Sequence, residues 1–397
     1  MSSPSTKGPL AARLGIERVL GALLGLVLVA CVALVPTQAR ADDLGDPQLR
    51  EAQAAMVVDS EGNVLYSKNP DVEINMASIT KIMTAVVALE SGTPLDTVVQ
   101  LHDVSLMDGA VVAGYREGMT SSLYDLMRVM LVKSANDAAE EVAIAIGGSE
   151  EGFVQMMNDK ASELGLEHTH FANPHGLDAD GHYSSVADLT KLARYALTTQ
   201  PLIAETVRLT RVTAPVGARS VTFETTDQML STYKGMLGIK TGVGNQYTSF
   251  LGCARRGGVT LYTCVLGCTT KQGRFDDTAR LLDWAWRTYD RHELAWSYAT
   301  VDTRPYAYRF GLSCAITSDR DLTGLVWPAG GVATFRKTME NPSLTEPGST
   351  VGVCQWAQDG RVIASATYSA RPRLVRSYSG LGLFDRLSRA RADLDAA

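Results

Sequence analysis

Two short apolar runs, Ala54–Asp59 and Val64–Ser67, flank the polar stretch Ser60-Glu61-Gly62-Asn63 and predict a β-hairpin. Ser78–Leu89 carries an unbroken helical pattern, which Ser91-Gly92 ends. Ser122-Leu123-Tyr124-Asp125 reads as a capping box that opens a helix to about Val132. Further helices are predicted from about Asp137 to Ile146, stopped by Gly147-Gly148, and over roughly Glu151–Leu164. Ser185-Val186-Ala187-Asp188 caps another, which stops before Pro201 because proline pushes the preceding residue out of helical geometry. β-Rich segments then return at Gly238–Thr241, Thr248–Ala254 and Val259–Leu266, joined by glycine turns. Asp276–Arg291 reads as a closing helix, with Leu281, Leu282, Trp284 and Trp286 among its apolar positions.

Strands, a helical block, strands again and a closing helix make an α+β domain over residues 45–292. Beyond about Trp296, short Val/Thr/Tyr runs alternate with Gly, Pro and Asp to about Ala370, which predicts a small all-β domain over 296–370. Two domains suit a chain of 397 residues, and an apolar content of 45% is enough for a core. In the tail, residues 371–397, Leu383, Phe384, Leu387 and Leu394 share one helix face, with Arg386, Arg389 and Arg391 among them. A basic amphipathic helix in a membrane interface and a solvated terminus are both open readings.

At the other end, Arg13 and Arg18 precede an apolar run from Val19 to Val35, followed by Pro36 and Ala39-Arg40-Ala41-Asp42. A basic start, an apolar middle and a small-x-small exit describe a signal peptide over 1–41, cleaved after Ala41. A retained anchor helix and a lipoprotein box at Leu28-Val29-Ala30-Cys31 stay open. Each reading puts the body of the protein outside the cytoplasm, in the cell envelope.

Export permits disulfides, so the remaining cysteines matter. Cys314 and Cys354 lie in the last third and are expected to pair. Cys253 and Cys264 flank the turn Arg255-Arg256-Gly257-Gly258 at unequal distances, so they do not face each other across a hairpin. They and Cys268 are expected to be buried and free. No cysteine spacing resembles a zinc site. A net charge of −6 argues against a nucleic-acid partner.

Three short motifs carry the candidate chemistry. In Ser78-Ile79-Thr80-Lys81, a helix puts the first and fourth residues on one face, where hydroxyl and amine meet. A serine needs a base to act as a nucleophile, and lysine serves only if its ammonium is destabilised by burial or a nearby cation. Ser134-Ala135-Asn136 lies between two predicted helices; its hydroxyl suits proton relay to a leaving amine, and its amide suits holding the lysine and a substrate carbonyl. Lys240-Thr241-Gly242 lies on a predicted strand; its lysine suits a substrate carboxylate and disfavours protonation of Lys81, and its glycine admits a substrate backbone. Ser231-Thr232-Tyr233-Lys234 and Ser67-Lys68-Asn69 fit the first two patterns, but Ser231 precedes no long apolar helix and Ser67 precedes every candidate nucleophile.

These three stretches, extended to Ala77–Ala85, Lys133–Ala139 and Gly238–Gly242, resemble the signatures of the serine D-Ala-D-Ala carboxypeptidases, the low-molecular-mass penicillin-binding proteins of peptidase family S11. Phe171–Asp178 resembles the family's Asn-Pro-x-Gly-Leu loop, His182-Tyr183-Ser184-Ser185 the helix cap after it, and Gly273-Arg274 the segment whose arginine helps bind the terminal carboxylate. The resemblance spans roughly residues 50–370. It implies a β-lactamase/transpeptidase-like catalytic domain, an antiparallel sheet flanked by helices, followed by a small β domain. It also implies roles. Ser78 attacks the carbonyl between two D-alanines, Lys81 takes its proton, and Ser134 passes a proton to the departing D-alanine. The backbone N–H groups of Ser78 and Val243 form the oxyanion hole. Asn136 contacts the substrate, and Lys240, Thr241 and Arg274 hold its carboxylate beside Gly242. The implied partners are peptidoglycan stem peptides ending in D-Ala-D-Ala and β-lactam inhibitors, with no metal or organic cofactor.

After Gly242 the chain departs from the family's usual continuation, running Val243-Gly244-Asn245-Gln246-Tyr247-Thr248. His175 and His182 read as scaffold residues rather than bases, since no Asp partner stands at a recognisable spacing. Rival readings are a DD-endopeptidase using the same site and a non-catalytic β-lactam-sensing or wall-binding protein. A β-lactamase needs an extra carboxylate base, and Asn173–Asp180 offers only Asp178 and Asp180.

Overall fold

The computed structural model describes residues 45–104, 106–107, 109–305, 313–340 and 345–373. The signal-peptide reading lies outside these residues, as does the tail from 374 onward.

The predicted hairpin is β1 (Ala54–Asp59) and β2 (Val64–Lys68). A 3₁₀ turn over Ala77–Thr80 leads into α1 (Lys81–Glu90). Short strands β3 (Val98–Gln100) and β4 (Thr120–Ser122) pair with each other. The helical block follows: α2 (Leu123–Lys133), α3 (Asn136–Gly147), α4 (Glu150–Glu163), α5 (Val186–Thr199) and α6 (Pro201–Thr206). A hairpin, β5 (Arg211–Val216) and β6 (Arg219–Glu224), and a turn of helix, α7 (Met229–Thr232), precede β7 (Met236–Val243), β8 (Thr248–Arg256) and β9 (Val259–Cys268). Then comes α8 (Gly273–Thr288). The remaining strands are β10 (Asp290–Ala295), β11 (Thr300–Pro305), β12 (Ser313–Ser318), β13 (Leu322–Val326), β14 (Thr334–Met339), β15 (Thr350–Gln358) and β16 (Arg361–Arg373).

The helix caps form as the sequence predicts. Ser122 Oγ accepts from Asp125 N at 3.1 Å and Ser185 Oγ from Asp188 N at 3.1 Å, each satisfying an N–H group that the first turn leaves free. The closing helix departs from expectation. It starts three residues early, taking in Gly273 and Arg274, and Asp290 and Arg291 belong instead to β10, paired with β13. The β5–β6 hairpin was not legible in the sequence; its strands alternate buried and exposed positions only on β5.

The central sheet is antiparallel, with order β2-β1-β9-β8-β7. Period-two alternation divides its side chains between two cores. From β1, Ala54, Met56 and Val58 face the helical block, whereas Ala55 and Val57 face α8. Helix α1 runs through the larger core, with every residue from Lys81 to Ala88 buried. A helix apolar all round belongs inside a protein, so the buried amine of Lys81 stands out there. The sheet order leaves β7 at an edge, beside the 3₁₀ turn.

A second five-stranded sheet, β11-β12-β16-β15-β14, covers a smaller core around Ile316, Val351 and Tyr368. It touches the first hairpin, where Asn63 Nδ2 donates to Val362 O at 2.6 Å and Ser365 Oγ to Glu61 Oε2 at 2.9 Å. Strand β16 runs to Arg373, so the first three residues of the supposed tail are strand.

The expected Cys314–Cys354 disulfide is absent; both thiols are free and buried. Cys314 lies opposite Pro372 and Cys354 opposite Ala366, on the two sides of β16. Those partners are six residues apart on one strand, which at ~3.3 Å per residue puts the thiols far beyond bridging distance. Cys253, Cys264 and Cys268 are buried and free as expected, and Cys253 opposes Tyr262 rather than Cys264.

Candidate active site

Ser78 lies on the 3₁₀ turn rather than on the helix proper. Ala77 before it has φ 50, a left-handed conformation that costs an L-residue on the order of 1–2 kcal/mol. Two contacts enforce it. Asn75 Oδ1 accepts from Ala77 N at 2.7 Å. Gly176, at φ +85, packs so closely that a Cβ there would overlap the Ala77 carbonyl oxygen. The next turn places the Lys81 amine 3.0 Å from Ser78 Oγ. The same amine donates to Asn136 Oδ1 at 2.6 Å and to the His175 carbonyl at 2.5 Å. Lys81 is fully buried, while Ser78 is half-buried.

Ser134 ends α2 in a left-handed conformation, φ 65, and after this sharp exit Asn136 reaches Lys81. Ser134 and Asn136 are both buried. Asp137 locks the turn from behind: its carboxylate accepts from the backbone N–H groups of Ala113, Gly114 and Tyr115 at 2.9–3.1 Å.

The third wall is β7. Gly242 passes so near the 3₁₀ turn that a Cβ there would lie 2.7 Å from the Met76 carbonyl oxygen. This is the physical need for the glycine that the sequence offers. Lys240 and Thr241 are buried, and Thr241 Oγ1 shares a 2.6 Å hydrogen bond with Thr226 Oγ1. Val243 is 49% exposed at the end of the edge strand. Arg274, at the start of α8, lies beneath this strand and donates from Nη1 to the Gly242 carbonyl at 2.6 Å.

The charges are arranged to starve Lys81 of its proton. Burial holds its amine well below the ordinary lysine range, the positive charge of Lys240 adds to this, and Asp137 opposes it. Lys240 is lowered to about 7, by burial first and then by Arg274, with Asp227 opposing. Asp227 is raised to about 6 by burial, and its Oδ2 has no partner among the described residues.

The two histidines behave as scaffold. Burial lowers His175 to about 3 and His182 to about 4, so both rings are neutral. His182 Nδ1 accepts from Ala172 N at 3.0 Å, which leaves the proton on Nε2, 2.8 Å from Thr80 Oγ1. Thr80 in turn donates to the Ala77 carbonyl at 2.7 Å. His175 contributes its carbonyl to Lys81, and its ring stands 3.8 Å from Glu140. Glu140 is raised to about 8, by burial and then by Glu150.

Ser78, Lys81 and Asn136 are therefore linked by hydrogen bonds, Lys240 lies near enough to act on Lys81, Gly242 packs against the turn that carries Ser78, and Arg274 bonds to the Gly242 carbonyl. The alternative serines do not join them: Ser67 is on β2 and Ser231 on α7. Sequence reasoning passed over Asn75 and Asp137, which bond to other segments, and Asp227, which accepts from Met229 N two residues on and matters through its charge near Lys240. Only Asp137 carried a signal, as the acid directly following the second motif.

A family model described as D-alanyl-D-alanine carboxypeptidase matches residues 41–270, more than half of the chain. The D-alanyl-D-alanine carboxypeptidase DacA of Escherichia coli (strain K12) is 32% identical over 294 residues, 67% of this chain and 70% of its own length. Penicillin binding protein 5 from Haemophilus influenzae superposes with a TM-score of 0.63 at 24% identity, over 82% of this chain and 98% of that one. Penicillin-binding protein D2 from Listeria monocytogenes, in its cefotaxime-bound form, gives a TM-score of 0.54 at 34% identity, over 60% of this chain and 99% of that one.

Proposed function

This chain belongs to the serine D-alanyl-D-alanine carboxypeptidase family, peptidase S11, and we propose that it removes the terminal D-alanine of peptidoglycan stem peptides through an acyl-enzyme on Ser78. The observation that carries this reading is the Lys81 amine, fully buried, depressed in pKa and 3.0 Å from Ser78 Oγ.

A neutral amine at that distance takes the hydroxyl proton as Ser78 attacks the carbonyl between the two D-alanines. The tetrahedral oxyanion is met by the backbone N–H groups of Ser78 and Val243, fixed donors that need no rearrangement as charge develops. Ser134 Oγ gives its proton to the departing amine and receives in exchange the proton that Lys81 took from Ser78, so both side chains return to their starting states. Lys240 and Thr241 hold the free carboxylate, with Arg274 reinforcing the positive potential from below and Asn136 steadying the substrate carbonyl. Water then releases the shortened peptide and restores Ser78. β-Lactams acylate the same serine because they share the carboxylate and the strained carbonyl in matching positions.

The same reading places the enzyme outside the cytoplasm, exported by residues 1–41 and held near the membrane by its N-terminal segment or its tail. Residues 45–292 are the catalytic domain and 296–370 an accessory β domain.

The test is D-alanine release from a peptide ending Lys-D-Ala-D-Ala, comparing the wild type with Ser78→Ala. Release by the wild type and its loss in the variant are expected. A folded wild type that takes up labelled penicillin yet releases no D-alanine overturns the carboxypeptidase reading in favour of an endopeptidase or a sensor.

A further inference from the structure

The two N–H groups read as the oxyanion hole belong to segments far apart in sequence. Ser78 stands on a turn opened by a strained alanine, and Val243 ends an edge strand. An oxyanion is stabilised only by donors held ~2.7–3.1 Å from it, so some contact must fix the spacing of these two segments. Gly242 against Met76 supplies a van der Waals stop, which limits approach and does not prevent separation.

One side chain bridges them in both directions. Asp178, half-buried on the loop after the Asn-Pro-His-Gly stretch, accepts from Asn75 Nδ2 on Oδ1 at 3.0 Å and from the Asn245 backbone N–H on Oδ2 at 2.9 Å. Asn75 accepts from Ala77 N with its other end, at 2.7 Å. A continuous line of hydrogen bonds therefore runs from Ala77, one residue before Ser78, through Asn75 and Asp178 to Asn245, two residues after Val243. Both contacts to Asp178 come from donors, so only a group accepting on both oxygens satisfies them. An amide would turn its NH₂ toward one of the donors. Gly244 lies in the same corner, where a Cβ would come within 3.0 Å of Asp178 Oδ1.

We propose that Asp178 is a positioning residue that sets the separation of the two halves of the oxyanion hole by clamping Asn75 to Asn245. The proposal rests on the reading of Ser78 and Val243 given above. It also gives Asp178 a structural task on both carboxylate oxygens, distinct from the β-lactamase role.

The bond pattern permits a reciprocal test. Asp178→Asn removes one acceptor, and Asn75→Asp sets two carboxylates against each other. The double variant N75D/D178N restores every bond and reverses only the one between positions 75 and 178: the carboxylate at 75 accepts from Ala77 N and from the amide at 178, whose oxygen accepts from Asn245 N. Acylation of the full chain by fluorescent penicillin would be resolved into its binding constant and its acylation rate constant, with the thermal midpoint recorded for each variant. Each single variant is expected to lower the acylation rate constant about 10-fold or more, the scale of a sub-ångström misplacement, with binding changed little. The double variant is expected within about threefold of wild type, as coupled partners in a cycle recover together. Folded single variants acylating at the wild-type rate overturn the proposal, as does a double variant that is slow or unfolded. If a single variant fails to fold, the double variant decides alone. Ser78→Ala, run in parallel, separates the two levels: penicillin uptake there would overturn the nucleophile reading itself.

Discussion

Lys81 Nζ and Asn136 Oδ1 stand 2.6 Å apart, and this contact, with the His175 carbonyl, holds a buried amine beside Ser78 Oγ. Neutral dipoles hold the amine there. Among the described residues no carboxylate bonds to it, and a contact with one would favour the ammonium and remove the base.

Asn136→Asp tests that balance. The added charge raises the Lys81 pKa, so the rising limb of acylation against pH moves to higher pH. Acylation at neutral pH falls about 10-fold or more, the scale of lost general-base catalysis. Stopped-flow acylation across pH checks this, and an unshifted limb would contradict it.

The pH profile of kcat/KM should be bell-shaped, with the two limbs owed to different lysines. Lys81 must be neutral to act, and its depressed pKa brings the rising limb below the ordinary lysine range. Lys240 must be charged to hold a carboxylate, and in the free enzyme it loses its proton above about 7. Binding should therefore weaken as pH rises through that region, while kcat at saturating peptide should not fall with it, because a bound carboxylate favours the charged lysine. Lys240→Gln should leave binding weak and nearly independent of pH. A wild-type binding constant flat from pH 6 to 9 would refute the assignment.

Gly176→Ala should destabilise the fold by about 2–4 kcal/mol and slow acylation, combining backbone strain with a clash against backbone. The position has φ +85, and the Ala77 carbonyl occupies the space a Cβ needs. Gly114→Ala is the control, with φ +91 but nothing within 4 Å. It should cost only about 1 kcal/mol from backbone strain. Equal losses for the two variants in denaturant titrations would show that the Ala77 contact contributes nothing.

Alkylation of the denatured, unreduced protein should modify each of Cys253, Cys264, Cys268, Cys314 and Cys354, and reductant should not shift the thermal midpoint. In the native protein these thiols should resist alkylation, because all are buried and burial pushes Cys253 and Cys268 up to about 12. A peptide joining Cys314 to Cys354 would overturn this.

How much of this was legible follows from the range of the interactions involved. The helix starts at Ser122 and Ser185 were readable because a cap bonds within three residues of itself. Lys81 meets Ser78 one turn away, so that pair was readable too. The supposed Cys314–Cys354 bridge failed because proximity in sequence says nothing about which sides of β16 two neighbouring strands occupy. The closing helix was misplaced at both ends: no side-chain cap marks its start, and pairing with β13 ends it.

Legible along the chain were three motifs in order, residue types suited to the proposed nucleophile, base, relay and carboxylate site, and the α+β pattern that carries them. Those are matters of local spacing and side-chain identity. Tertiary structure alone decided what gives the residues their function. It buried Lys81, brought Lys240 near enough to lower its pKa, drove Gly242 against Met76 and joined Asn75 to Asn245 through Asp178. Each of these depends on segments that the chain separates and only packing reunites, and a pattern read along one dimension does not carry that information.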